Sequence, residues 1–88
     1  MSTKEMTEIV SRRLKCWRKQ QGRTAKGFAQ DSGMSLTTVS RVENGQDINV
    51  GSLIDYISGL ENERAVFREL FDFSPEALKR LEEDEADV

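Results

Sequence analysis

The sequence predicts an all-α fold, and three observations carry that expectation. Apolar residues recur at three- and four-residue spacing in one segment after another, the period of a helix face. Ser, Thr or Asn stands before most of these segments and Gly after several, residue types that satisfy the loose N–H groups at a helix start and allow its last turn to close. Between Thr24 and Gly45, two such segments are joined only by the turn Ser32-Gly33-Met34-Ser35, a spacing that sets one short helix across another.

The first helix is expected from about Thr7 to Gln21, where Val10, Leu14 and Trp17 share a face and Gly22 supplies a stop. Its polar side holds Arg12, Arg13, Lys15, Arg18 and Lys19, most of them read as solvated cations. Trp17 lies in register with two aliphatic residues and is read as core, with Cys16 an inert neighbour. The second helix starts on Thr24 as N-cap and runs to about Ser32, with Phe28 and Ala29 inward. Gly27 in its interior costs on the order of 1 kcal/mol against alanine, so either tertiary packing holds this helix or another backbone approaches closely there. The third helix follows Ser35 and ends near Asn44, with Gly45 as its stop. Val39 and Val42 define its inner face, which turns Thr37, Ser40, Arg41 and Asn44 outward.

Asn49 caps a fourth helix whose Val50, Leu53, Ile57 and Leu60 form a buried stripe, with Asp55 and Tyr56 facing outward. Trp17, Phe28, Ala29, Val39, Val42, Leu53 and Ile57 are expected to be buried together. Asn62 caps a fifth helix, reaching about Phe73, that concentrates Val66, Phe67, Leu70, Phe71 and Phe73. A small domain has little surface to spare for such a cluster, and leftover apolar patches mark interfaces. Phe67, Leu70, Phe71 and Phe73 are therefore assigned to a two-fold dimer contact in preference to pure core. Ser74, Pro75 and Glu76 open a short sixth helix that should end near Leu81. The run EEDEADV beyond it is read as solvated and frayed, with a phosphate-mimicking or partner-docking tail as the functional alternative.

Composition bounds the function. A chain of 88 residues is one domain with a marginal core, which makes a homodimer plausible. One cysteine and no histidine exclude an internal disulfide and a zinc-type metal site, and no cofactor is called for. The N-terminal segment lacks the apolar run of a signal peptide, and no segment is apolar enough for a membrane, so a cytoplasmic chain is expected. The net charge of −3 hides a division: residues 1–45 carry nine Lys/Arg against four Asp/Glu, and residues 46–88 carry four against twelve. A net +5 half faces a net −8 half, and local potential, not the total, attracts phosphates. No phosphate-binding glycine motif and no convergent carboxylate pair supports catalysis, so no catalytic residue is assigned.

The segment ending Val39-Ser40-Arg41-Val42-Glu43-Asn44-Gly45 resembles the Cro/repressor-type (XRE-like) helix-turn-helix family, over roughly residues 8 to 60. The resemblance implies a lambda-repressor-like domain of five helices plus a short C-terminal helix. Residues 1–62 would form the DNA-binding part, with the helix-turn-helix at 24–45. Residues 63–88 would form a dimerisation segment and acidic tail within the same compact domain. The third helix would enter the major groove, Leu36, Thr37, Thr38 and Arg41 meeting base edges, with Arg41 able to contact guanine O6 and N7 together. Thr24, Lys26, Ser40, Asn44 and Gln46 would contact phosphates, and Arg18 would form a structural ion pair with Glu43. Three positions depart from the family pattern: Ala25 replaces a frequent Gln that contacts phosphate, Ser32 a frequent aliphatic residue, and Arg23 stands at an often apolar position. The implied function is a sequence-specific regulator of transcription on a double-stranded DNA operator, a repressor or autoregulator acting as a homodimer. The alternative is an antitoxin that autoregulates its operon and binds a toxin through its C-terminal segment.

Overall fold

The computed structural model describes residues 1–46 and 48–88, and within them the chain forms six helices and no strand. These are α1 (Thr3–Gln20), α2 (Ala25–Ser32), α3 (Leu36–Asn44), α4 (Val50–Gly59), α5 (Glu63–Leu70) and α6 (Pro75–Ala86). None of them is long and apolar enough to cross a membrane.

Helix α1 begins four residues before the expected Thr7. Ser2 Oγ accepts the Glu5 N–H at 3.1 Å and the Glu5 carboxylate accepts the Ser2 N–H at 3.3 Å, a reciprocal capping box that settles two loose donors. These bonds hold the Glu5 carboxyl below its ordinary pKa. The added turn brings Ile9 and Val10 into play, and α1 packs against α3 on one side and α6 on another.

The main core joins Val10 and Leu14 of α1 to Phe28, Ala29, Val39, Val42, Tyr56, Ile57, Leu60, Val66 and Leu70. A smaller cluster of Ile9, Cys16 and Leu81 seals α1 to α6. Three expectations for the apolar stripes need correction. Trp17 and Leu53 are only partly buried, because Trp17 spans a shallow seam against α5 and α6 while Leu53 borders an open groove beside Met6 and Phe71. Val50, on the first turn of α4, is 72% exposed. Tyr56, expected outside, is fully buried, its ring 4.5 Å from that of Phe28 and its hydroxyl supplied with an internal acceptor.

The meeting of α2 and α4 accounts for two of the departures from the family pattern. A side chain at Gly59 would meet Ser32 Oγ at 2.2 Å and the Phe28 ring at 3.0 Å, so the α4 backbone lies against α2 and leaves room only for a small residue at 32. Arg23 lays its guanidinium 4.7 Å from the centre of the Phe28 ring, donates to the Gly59 carbonyl and pairs with Asp31 at 3.2 Å. Its flat face does the covering that an apolar residue would do. At Gly27, by contrast, no second backbone comes near: an added Cβ would meet only Thr24 Oγ1, at 3.1 Å.

The C-terminal segment differs most from the sequence reading. Asn62 does not cap α5 through its side chain; it sits at φ 60°, turning the chain between α4 and α5. Helix α5 stops at Leu70, short of Phe73, because the buried Arg13 guanidinium donates to the carbonyls of Glu69 (3.2 Å), Leu70 (2.9 Å) and Asp72, taking over the acceptors at that helix end. Burial pushes the Arg13 pKa down. Helix α6 runs to Ala86, well past Leu81, so the acidic run is helical for most of its length. Arg12 donates through Nη2 and Nε to the two oxygens of Glu85, at 2.5 and 3.1 Å, and holds that extension against α1.

Candidate nucleic-acid interface

The α2–α3 unit is closed at each end by neighbouring residues. Thr24 Oγ1 accepts the Gly27 N–H at 3.1 Å and Ser35 Oγ accepts the Thr38 N–H at 3.0 Å. Gly33 and Gly45 take left-handed geometry, φ 68° and 69°, so the chain reverses without the strain a side chain would add.

Inside this unit Val39 and Val42 are buried in the main core. The opposite side of α3 is open: Leu36, Thr37, Ser40, Arg41 and Asn44 are exposed, as are Thr24, Lys26 and Gln46 at the flanks. Arg41 pairs with no carboxylate among the described residues. Asn44 Nδ2 donates to Ser40 Oγ at 3.2 Å, so these two polar groups share one patch one turn apart. Thr38 is set back from the others. It is half-buried, with its hydroxyl 2.8 Å from that of Ser35, and serves the N-terminus of α3 rather than standing free.

Beneath this face lies a buried polar cluster that fixes the pose of α3. Arg18 donates through Nε and Nη2 to the two oxygens of Glu43, each at 2.9 Å, and through Nη1 to the Arg23 carbonyl at 2.7 Å. The Tyr56 hydroxyl donates to Glu43 at 2.7 Å. Both charged side chains are about nine-tenths or more buried, at 7% and 6% exposure. The carboxylate therefore ties α3 to α1 and α4 at once, through the bidentate geometry that suits arginine best. The bond to Glu43 raises the Arg18 pKa, while burial, then Glu43, drives the Tyr56 hydroxyl well above its ordinary value. Tyr56 and Arg13 escaped the sequence reading; Tyr56 was nevertheless detectable as the residue three past Leu53 and four before Leu60.

Of the four residues assigned to a dimer contact, only Phe67 and Phe71 are open, at 47% and 59% exposure. Leu70 is fully buried in the core. Phe73 is partly buried against it, 5.7 Å beneath the Arg13 guanidinium. Leu70 has no surface to present to a second chain, whereas Phe73 keeps part of its surface on the groove it shares with Phe71. On α4, which packs against α5, Val50 and Ile54 are exposed apolar residues not anticipated at an interface.

A helix-turn-helix family model matches residues 14–61, from the middle of α1 to just past α4. No curated protein and no solved structure matches the chain significantly.

Proposed function

The chain belongs to the Cro/repressor-type (XRE-like) helix-turn-helix family of DNA-binding transcription regulators, and from that premise we propose a sequence-specific repressor or autoregulator that acts as a homodimer with α3 in the major groove. The carrying observation is Arg41, paired with no carboxylate among the described residues and standing on the exposed polar side of a helix whose inner side is fixed by Val39, Val42 and the Arg18–Glu43–Tyr56 cluster. A helix presenting an exposed guanidinium is suited to guanine, while Thr37 and Leu36 offer methyl groups suited to thymine. Thr38 is a weaker candidate because its hydroxyl is engaged within the cap. Thr24, Lys26, Ser40, Asn44 and Gln46 surround that helix and suit phosphate contacts. A DNA-bound role inside the cell implies a cytoplasmic protein.

One α3 reads only a few base pairs, so two copies on half-sites about 34 Å apart supply useful specificity. Phe67 and Phe71, with Val50 and Ile54 exposed on α4, which packs against α5, support a two-fold contact through α5 and α4. The same apolar surface would serve an antitoxin holding its toxin, and co-purification distinguishes the two. The direct test is titration of DNA from upstream of the protein's own gene, together with sedimentation of wild type and Phe71→Glu. The dimer reading expects Phe71→Glu to remain folded, sediment as a monomer and bind the operator more weakly. A wild type that is monomeric at micromolar concentration overturns it.

A further inference from the structure

The acidic end of α6 is helical, although its sequence works against the helix there. Glu82, Glu83, Asp84, Glu85 and Asp87 crowd the C-terminal turns, where the helix dipole is negative, and no cation stands in the last turn. Only contacts from elsewhere can hold such an end in place. Leu81 packs on Ile9 and Cys16 of α1, Ala77 is buried, and Arg12 donates to Glu85 through Nε and Nη2. Glu85 and Glu82 raise the Arg12 pKa, and Asp84 and Glu85 add to the burial that raises that of Cys16.

The place where this end docks bears on DNA binding. Lys15, Lys19, Asn44, Glu85 and Val88 border one shallow cavity. Lys19, Arg23, Thr24, Asp87 and Val88 border the next. The end of α6 therefore lies between Thr24, at the N-terminus of α2, and Asn44, at the C-terminus of α3, over cations that form the basic flank of the helix-turn-helix. Phosphates approaching Thr24 and Asn44 would meet carboxylates already seated on Arg12 and beside Lys15 and Lys19.

We propose that the acidic end of α6 is an intramolecular competitor of DNA phosphates: docked on α1, it occupies Arg12 and lies beside Lys15 and Lys19, and DNA binding at full strength requires its release. This rests on the DNA-binding reading above and adds a built-in restraint to it. Anything that frees the end of α6, such as a basic partner surface taking over its carboxylates, raises DNA affinity without altering α3.

The test compares four proteins on labelled operator and random duplexes over a salt series: wild type, Glu85→Gln, a chain ended after Glu82, and Glu76→Gln. The shortened chain keeps every residue of both apolar clusters. It is expected to bind both duplexes about three- to tenfold more tightly near 0.1 M salt, with a salt slope steeper by up to about 0.9 for each freed cation. Glu85→Gln is expected to shift in the same direction by a smaller factor. Glu76→Gln removes one charge at the far end of α6 and should stay within about twofold of wild type. The proposal is overturned if Glu85→Gln, folded by circular dichroism, binds no more tightly than wild type, or if Glu76→Gln tightens binding equally, which would make the effect one of net charge. If the shortened chain fails to fold, Glu85→Gln decides. Binding by every form with no difference among them removes the restraint alone; absence of DNA binding by every form removes the DNA-binding reading as well.

Discussion

The α2–α3 unit and the α5–α6 segment rest on the same core yet hold their shapes by opposite means. In α2–α3 the closing groups are local: Thr24 and Ser35 cap residues three positions on, and Gly33 and Gly45 end the helices they follow. In α5–α6 they are distant. Helix α5 is ended by Arg13, 56 residues away from Glu69 in the chain, and the end of α6 is held by Arg12, 73 residues from Glu85. The ends of α2 and α3 are thus set by neighbouring residues, while the end of α5 and the last turns of α6 depend on α1.

Five substitutions break or sharpen this contrast. Glu43→Ala should have the largest effect, about 3–5 kcal/mol in chemical denaturation, because it leaves Arg18 buried without a counter-charge and Tyr56 without its acceptor. That cluster underlies both regions, so both should unfold together, and a loss under about 1 kcal/mol would show that α3 is held by its valines alone. Arg13→Met should cost about 2–3 kcal/mol by stranding the carbonyls at the end of α5. Hydrogen exchange should rise first in α5 while α2–α3 stays protected, and equal loosening of both would erase the distinction.

How far each region could be read from the sequence follows the same division. Thr24, Ser35, Gly33 and Gly45 act within a few residues, so the bounds of α2 and α3 were legible, as were the buried Val39 and Val42. Arg13 was not, and Tyr56 only by its spacing to Leu53 and Leu60, because the acceptors that let their polar groups be buried lie far along the chain: three carbonyls for Arg13, the Glu43 carboxylate for Tyr56. Leu70 is expected at an interface and lies in the core, since helix periodicity cannot distinguish the core of one's own chain from that of a partner. The acidic run of α6 looked unfolded by composition and is ordered by contacts with α1.

Smaller effects refine the comparison. Thr24→Ala and Ser35→Ala should each cost about 1 kcal/mol through a lost cap bond, with Ser35→Ala also freeing the Thr38 hydroxyl. Asn62→Gly should alter stability by no more than about 0.5 kcal/mol, in the stabilising direction, because Asn62 holds a left-handed conformation without a side-chain cap bond in return. Thermal melts resolve both, and a large loss at Asn62 would mean that α5 is as locally encoded as α2.

The central claim, that the outer side of α3 reads DNA sequence, is tested most directly by titrating wild type, Arg41→Ala and Lys26→Ala against the preferred operator and single-base variants of it over a salt series. Arg41→Ala should lose about 1–3 kcal/mol on the preferred site and relax discrimination at one base pair, while Lys26→Ala should weaken all duplexes alike and reduce the salt slope by about 1. Undiminished affinity and unchanged base preference in a folded Arg41→Ala protein would contradict the assignment of α3 as the reading helix through that residue.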